Sequence, residues 1–399
     1  MKWDNKGHQF DEEGKSWVEA FKKKDGIWVF GAGILGKETR ALLEKYHCFK
    51  GFIDNDVCKK DEILDCKVYS FNEYLNQENK GWIVIAAKDT YTREIQKQLE
   101  EVGKIENKDF FIHTKFFERI FPIISIYAFG KLYIWKSEIG VTERCTLKCR
   151  KCVRGCGMVD INHKDMSLET VKISADYFFR NFDYVSEFCL IGGETLLYSQ
   201  LPEAVEYIGS KYRNQIVIFS ITSNGTIVPS ERLVDIMRKY HVVYRISDYS
   251  RAIPKLISQH RKVVDVLKAG EIDFRFAYQD ENTTWVDYGY DYVDRGNNEK
   301  ELIKIFDQCL NGCHAVRKNQ YFFCAGAEAR SRNLGLHVGE TDYFDLSSCD
   351  KMELFEFNMG YSEKGYLDMC NFCHGSNSWK YPVPVAEQIG KGEKNATES

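Results

Sequence analysis

The 399-residue chain reads as an α/β protein: a Rossmann-like domain, then a TIM-like barrel or part of one, then a cysteine-rich segment. Three observations lead there. Apolar strands alternate with amphipathic helices in two successive series, as parallel sheets require. A glycine-rich turn closes the first strand of the first series. A tight group of cysteines follows the first strand of the second.

In the first series, residues 27–30 form an apolar strand that runs into Gly31-Ala32-Gly33-Ile34-Leu35-Gly36. A helical pattern through Leu42, Leu43 and Tyr46 leads to a second strand, ending at Ile53-Asp54-Asn55-Asp56. Strands at 82–86 and 109–112, with a helix at 92–102 between them, complete a domain assigned to residues 1–117. Residues 114–130 show no period and read as a connection.

The second series, assigned to residues 125–305, opens with a strand at 132–135. Ser167 can N-cap a helix with the apolar stripe Leu168, Val171, Ala175, Phe178 and Phe182. Strands follow at 184–191, 216–221, 242–246 and 274–278, separated by helices at 201–212, 229–237 and 255–267. Ligand sites in such folds lie at the carboxyl ends of strands. After Phe306 helical periodicity weakens, and Cys309, Cys313, Cys324, Cys349, Cys370 and Cys373 fall within sixty-five residues. Residues 306–385 therefore read as a subdomain that needs a metal centre to fold. The polar stretch 386–399 reads as a disordered tail.

Composition narrows the function. Hydrophobic residues at 44% and aromatics at 14% support real cores, and a net charge of −4 with no basic stripe argues against nucleic acid. The polar start is no signal peptide, and no apolar run spans a membrane. Fourteen clustered cysteines without a leader suggest metal ligands in the cytoplasm rather than a secreted disulfide scaffold.

Cys145, Cys149 and Cys152 form Cys-x3-Cys-x2-Cys. Three thiolates so close suit a soft-metal cluster, and three ligands on a four-iron cluster leave one iron open to a small molecule. Structural zinc more often uses paired Cys-x2-Cys knuckles. About forty residues on, Gly192-Gly193-Glu194 ends a strand; its glycines permit close backbone approach and its carboxylate can accept from an ammonium. Together these motifs resemble the radical S-adenosylmethionine (radical SAM) enzymes. The resemblance implies a partial (β/α)6 barrel in which Cys145, Cys149 and Cys152 hold a [4Fe–4S] cluster. SAM chelates the open iron and is cleaved by one electron to a 5′-deoxyadenosyl radical. It implies SAM contacts at Gly192, Gly193 and Glu194, at Ser223 and Asn224 after the third strand, and at Ser247 and Asp248 after the fourth. A flavodoxin- or ferredoxin-type donor is implied as well. The chain departs from the family at Lys151, where an aromatic residue is usual and where a positive charge could raise the cluster potential. Cys156 reads as a bystander, Cys189 as core and Cys349 as structural.

Cys370 and Cys373 make a knuckle. If Lys318-Asn319 form a two-residue turn, residues 313–324 make a hairpin with Cys313 opposite Cys324; Cys309 rivals Cys313 for the same ligand position. This spacing resembles the twitch subdomain of radical SAM dehydrogenases and epimerases, which implies a second, auxiliary [4Fe–4S] cluster. Zinc is the alternative guest.

Gly31-x-Gly33-x-x-Gly36 with Asp54 at the end of the next strand fits a dinucleotide fingerprint. The pattern resembles small domains attached to sugar-modifying enzymes of bacterial surface-polysaccharide pathways, some of which bind a nucleotide-sugar. The expected function is thus a radical SAM oxidation or epimerisation of a carbohydrate or nucleotide-sugar, with Trp285, Asp287 and Tyr288 as substrate contacts. A radical SAM peptide-modifying enzyme and a non-catalytic iron–sulfur binding or assembly protein are the alternatives.

Overall fold

The computed structural model describes every residue except 57, 60–64, 79–80, 281, 290–292, 310–311, 334–341, 348–349 and 391–399. Cys349 lies outside the described residues. The chain divides into two compact units, Phe10–Trp135 and Met1–Gln9 together with Lys136–Ser399.

The first unit carries a five-stranded sheet of β1 (Ile27–Phe30), β2 (Phe49–Ile53), β3 (Val68–Tyr69), β4 (Trp82–Ile85) and β5 (Phe110–Ile112), in the order β3-β2-β1-β4-β5. Every pair is parallel, the order in which doubly wound dinucleotide folds set their first five strands. β1 and β4 are buried at every position, as central strands covered on both faces must be. The two-residue β3 left no periodic trace in the sequence.

Residues 114–130, read as a connection, are mostly helical: His113–Lys115, Phe116–Ile120 and Phe121–Phe129 follow one another. They lacked a clear period because Phe116, Phe117, Ile120, Phe121, Ile123, Ile124 and Ile126 are all buried, a nearly continuous apolar run broken by the exposed Glu118 and Arg119. Gly130, at φ 64°, closes the last helix in the left-handed region. Tyr127 donates its hydroxyl to Asp11 Oδ1 at 2.8 Å, and its ring lies 2.6 Å from where a Cβ on Gly14 would stand. The boundary expected at residue 117 therefore moves to Trp135.

The second unit is organised by an eight-stranded sheet. Its strands are β6 (Tyr133–Thr142), β7 (Tyr184–Gly192), β8 (Ile216–Ser223), β9 (Val242–Ser247), β10 (Phe274–Ala277) and, past the short β11 (Trp285–Val286), β12 (His314–Arg317), β13 (Gln320–Phe322) and β14 (Tyr343–Asp345). The order is β10-β9-β8-β7-β6-β12-β13-β14. β11 pairs separately with β15 (Pro382–Val383). The five strands expected from the sequence for the second series are all present.

The cysteine-rich segment is not set apart at residue 306. β12 runs parallel to β6, His314 facing Ser137 and Ala315 facing Glu138, so the hairpin extends the main sheet. The first nine residues also belong here: Gly7 and Gln9 donate their amides to the buried Glu356 carboxylate at 2.8 and 2.7 Å. The expected tail is ordered at its start, where Ala386 is buried and Ile389 donates its amide to Lys148 O at 2.9 Å; residues 391–399 lie outside the described residues.

Side chains on a strand alternate between faces. Ile139, Val141, Phe188, Leu190, Phe219, Ile221, Tyr244 and Ile246 are buried on one face, where Phe178 and Phe179 of the helix Leu168–Asn181 stack on Phe188. The alternate positions carry Lys136, Glu138, Glu187, Cys189, Ser220, Thr222, Arg245 and Ser247. One face is oil and the other is polar.

In the first unit, His113 is buried against Phe117 and Trp135, and that burial pushes its imidazole down to about 4. A lowered histidine stabilises the fold fully above the unfolded value near 6.5 and less as pH falls toward 4, because only the unfolded chain takes the proton. Chemical unfolding followed by tryptophan fluorescence should therefore lose about 2 kcal/mol between pH 7 and pH 5 from this residue. His113→Phe should remove that part of the loss; an unchanged pH dependence would refute the assignment.

Candidate active site

β6 delivers the first cysteine loop. Cys145, Cys149 and Cys152 pack into a single apolar cluster with Leu147, Tyr249, Ile253, Leu256, Trp285, Val385 and Ala386. Gly193 donates its amide to Thr142 O at 3.0 Å and Glu194 to Arg144 O at 2.8 Å, so the end of β7 is laced to the start of that loop. The glycines are dictated by this approach: a Cβ on Gly192 would lie 2.4 Å from Thr142 O, and one on Gly193 2.4 Å from Arg144 O.

Glu194 has no exposed surface, and its carboxylate accepts from Leu196 N at 3.0 Å, Ser223 Oγ at 2.9 Å and Asn224 N at 2.8 Å. Burial raises its pKa. The carboxylate therefore ties β7 to the end of β8. Ser223 and Asn224 are likewise buried; Asn224 Nδ2 donates to Thr146 Oγ1 at 3.1 Å and points at Cys145 Sγ at 3.6 Å. Asp248 is partly exposed, accepts from Ser250 N at 3.0 Å and stands 3.4 Å from His260. Burial opposes its charge, but the Ser250 donors and His260 hold it below the usual carboxylate range. Ser247 is buried beside it.

Donors converge on the sulfurs. Leu147 N lies 3.4 Å from Cys145 Sγ, and Gln388 Nε2 lies 3.1 Å from Cys149 Sγ. Burial pushes the Cys145 and Cys149 thiols up to about 12. Cys152 is pulled down to about 6, chiefly by a hydrogen bond from Cys156. Cys156 stands beside Cys152 and 3.5 Å from Glu143 Oε2, with one S–H to serve the two. Buried thiols aimed at by N–H donors fit thiolate ligands, since a coordinated metal supplies the charge that deprotonates them. Among the described residues no three His, Cys, Asp or Glu side chains stand close enough to chelate one ion, so the grouping rests on the shared packing and these donors.

Lys151, at φ 58°, forms an ion pair with Asp287 at 2.7 Å. The pair offsets the charge expected to raise a cluster potential, and with Gly289 N at 2.8 Å it engages the Asp287 carboxylate. Asp287, expected as a substrate contact, thus has internal partners in Lys151 and Gly289. Trp285 packs edge-on to Tyr249 and Tyr278 beside the first thiols.

The expected hairpin is present. Arg317 faces Gln320 across the turn Lys318-Asn319, Lys318 taking φ 53°, and Ala325 N donates to Cys313 O at 3.0 Å. Cys324 and Cys373 pack together with Ala327, Met369 and Phe372. Ala327 N donates to Cys324 Sγ at 3.3 Å, and Gly375 N to Cys373 Sγ at 3.2 Å. Tyr288 lies within electrostatic reach of Cys309, Cys313, Cys324 and Cys373, and Cys370 within reach of Cys309 and Cys373. Cys313 packs instead with Ala315, Phe322, Ala325 and Tyr343, so the choice between Cys309 and Cys313 stays open.

Sequence reading missed the polar sheet face. Arg245 Nε lies 2.6 Å and Lys136 Nζ 3.7 Å from the Glu187 carboxylate, which also accepts from Ser220 Oγ at 2.7 Å. Burial opposes the charge on Glu187, but Lys136 and Arg245 hold its pKa below the usual range. Tyr278 feels Lys136 together with Cys313 and Cys152, one cysteine from each thiol group. Charged residues two apart in otherwise apolar strands were the available signal. In the first unit, Gly31 has φ +113° and a Cβ on Gly36 would stand 1.9 Å from Gly31 O, whereas one on Gly33 would meet nothing within 4 Å. Asp54 accepts from Ala32 N at 2.7 Å and Asp56 N at 2.8 Å, so it already takes one amide of the glycine loop.

Residues 139–247 match the model of the Radical SAM superfamily. An uncharacterized protein of Methanocaldococcus jannaschii is 30% identical over 108 residues, which cover 27% of this chain and 36% of that protein. The chain thus spans about a third of that relative's length. Among solved structures, anSMEcpe with bound AdoMet aligns at a TM-score of 0.38 and 14% identity, covering 64% of this chain and 94% of that one. BtrN in complex with AdoMet and 2-DOIA aligns at 0.36 and 13%, covering 63% and 98%. SuiB of Streptococcus suis bound to S-adenosylmethionine aligns at 0.32 and 16%, covering 68% and 78%. The Radical SAM superfamily match covers the strands that carry the three thiols and the glycine turn, and such a match implies a [4Fe–4S] cluster and S-adenosylmethionine as cofactors.

Proposed function

We propose that this chain is a radical SAM enzyme that abstracts hydrogen from a carbohydrate or nucleotide-sugar, in an oxidation or an epimerisation. The observation that carries the reading is the convergence of Cys145, Cys149 and Cys152 in one apolar cluster with N–H donors at their sulfurs, inside the segment that matches the family. When bound, the cluster and SAM supply a 5′-deoxyadenosyl radical by one-electron cleavage.

The chain's own residues do the rest. With Glu194 spent internally, the backbone of Gly192 and Gly193 is what the turn offers to the SAM ammonium. Asp248, kept ionised, accepts from SAM hydroxyls. The substrate lies on the polar sheet face, where Lys136, Glu187, Arg245 and Tyr278 offer both donors and acceptors to sugar hydroxyls. Tyr278 at the end of that face is within electrostatic reach of Cys152 and Cys313, which supports a substrate there meeting the radical and an electron acceptor. Cys313 or Cys309, with Cys324, Cys370 and Cys373, would hold that acceptor as an auxiliary [4Fe–4S] cluster. In the first unit, the loop of Gly31, Gly33 and Gly36 leads into the helix Ile34–Lys45, which has no side-chain cap and so offers amides to a diphosphate.

Anaerobically reconstituted protein should form 5′-deoxyadenosine from SAM and reductant, and changing Cys145, Cys149 and Cys152 together to Ala should abolish it. Survival of cleavage in that variant would overturn the reading. Iron should total about eight per chain in the wild type and about four in the triple variant, from four irons per cluster; zinc with no iron in the variant would make the second site structural. Gly33→Val tests the first unit cleanly, because its side chain enters open space and leaves the fold intact. Calorimetry should show nucleoside diphosphate binding weakened about tenfold or more, one lost charge-assisted hydrogen bond or its equivalent. Equal binding by both proteins would assign the loop a structural role.

A further inference from the structure

Residues 385–389 lie across the first cysteine loop. Cys149 and Gln388 form an antiparallel bridge. Arg150 donates its amide to Glu387 O at 2.7 Å, and Ile389 donates to Lys148 O at 2.9 Å. Val385 and Ala386 join the apolar cluster that holds the three thiols, and Ala386 has no exposed surface. A segment whose composition promised disorder is therefore stitched to the loop by backbone and by packing.

Gln388 is oriented by its neighbours. Lys148 N donates to its Oε1 at 3.0 Å, and its Nε2 donates to Ala386 O at 2.7 Å. An amide turned the other way would set its NH2 against an N–H and its oxygen against a carbonyl. The NH2 end is thereby fixed toward Cys149 Sγ, 3.1 Å away.

We infer that Gln388 is a positioning residue for the radical SAM cluster: its side-chain amide donates to the Cys149 sulfur and raises the cluster's reduction potential, while residues 385–389 form a strap that keeps solvent from the cluster. The inference rests on the proposed ligation by Cys145, Cys149 and Cys152. Reduction places more negative charge on the cluster sulfurs, and a donor at a sulfur stabilises the reduced form over the oxidised one. A strap that buries the ligands also shields that hydrogen bond from competing water.

The test is a redox titration of full-length reconstituted protein, following the paramagnetic signal that shifts on adding SAM. Gln388→Leu removes both donor and acceptor. Gln388→Met also loses the donor, at the native side-chain length and without adding charge. Both variants should lower the midpoint, cutting the ratio of reduced to oxidised cluster at a fixed solution potential about tenfold, the worth of one hydrogen bond to a charged group. An unchanged midpoint in both, or a drop in Gln388→Leu alone, would overturn the donor role. Ending the chain after residue 384 should speed bleaching of the same cluster by air, and equal bleaching would overturn the strap. A wild type without a SAM-responsive signal would instead sink the ligation reading beneath the proposal.

Discussion

The site depends on one close approach, that of the turn at the end of β7 to the loop that leaves β6. Gly193 N and Glu194 N reach Thr142 O and Arg144 O, and neither glycine position has room for a Cβ. Glu194 then reaches onward to Ser223 and Asn224, and Asn224 reaches back toward Thr146 and Cys145. Three strand ends are closed into a ring of hydrogen bonds around the first cysteine. A buried carboxylate with three donors is a rigid strut, because losing any donor would leave charge in a place with no water.

A second buried network braces the other side of that loop. Arg154 lies 2.7 Å from Glu138 and 3.1 Å from Glu143, and Arg332 lies 2.8 Å from Glu143. Asn333 donates to Glu143 Oε2 at 3.0 Å and to Arg154 O at 2.6 Å. Glu143 and Arg154 flank the first three thiols in sequence, whereas Arg332 and Asn333 end the helix Ala325–Asn333 that begins beside Cys324. Buried ion pairs add little net stability, but breaking one costs about 3–5 kcal/mol by stranding a charge. The network thus resists any change in spacing between the two thiol groups. Electron transfer between two centres calls for that kind of rigidity.

Much of this was legible in the residues. The strands, the cysteine loop and the hairpin turn at Lys318-Asn319 announced themselves because their signals are local: apolar runs, a spacing and a turn. Cys313 could be set opposite Cys324 from the turn length alone. What escaped was whatever depends on partners distant in sequence. The helices between residues 113 and 129 showed no clear stripe because buried residues run almost continuously from 116 to 126, broken only by the exposed Glu118 and Arg119. Glu194 and Asp287 looked like ligand groups because a carboxylate at a strand end looks the same whether it faces a pocket or a buried amide. Residues 385–389 looked like a tail because their order comes from pairing with residues 148–150.

The polar face of the sheet was hidden for a different reason. Lys136, Glu187 and Arg245 sit singly in apolar strands, more than forty residues apart, and each alone resembles an exception. Only the parallel register brings them together: β7 pairs Glu187 with Ile218 and β8 pairs Thr222 with Arg245. Two cations share the one Glu187 carboxylate, so both are already paired although the trio carries a net charge of +1. Such a surface suits a neutral, hydroxyl-rich molecule better than a polyanion. A diphosphate would bring charge that Lys136 and Arg245, already committed to Glu187, could meet only by abandoning it. Under the proposed function, a sugar hydroxyl can meet this face without breaking that pairing, whereas a phosphate cannot.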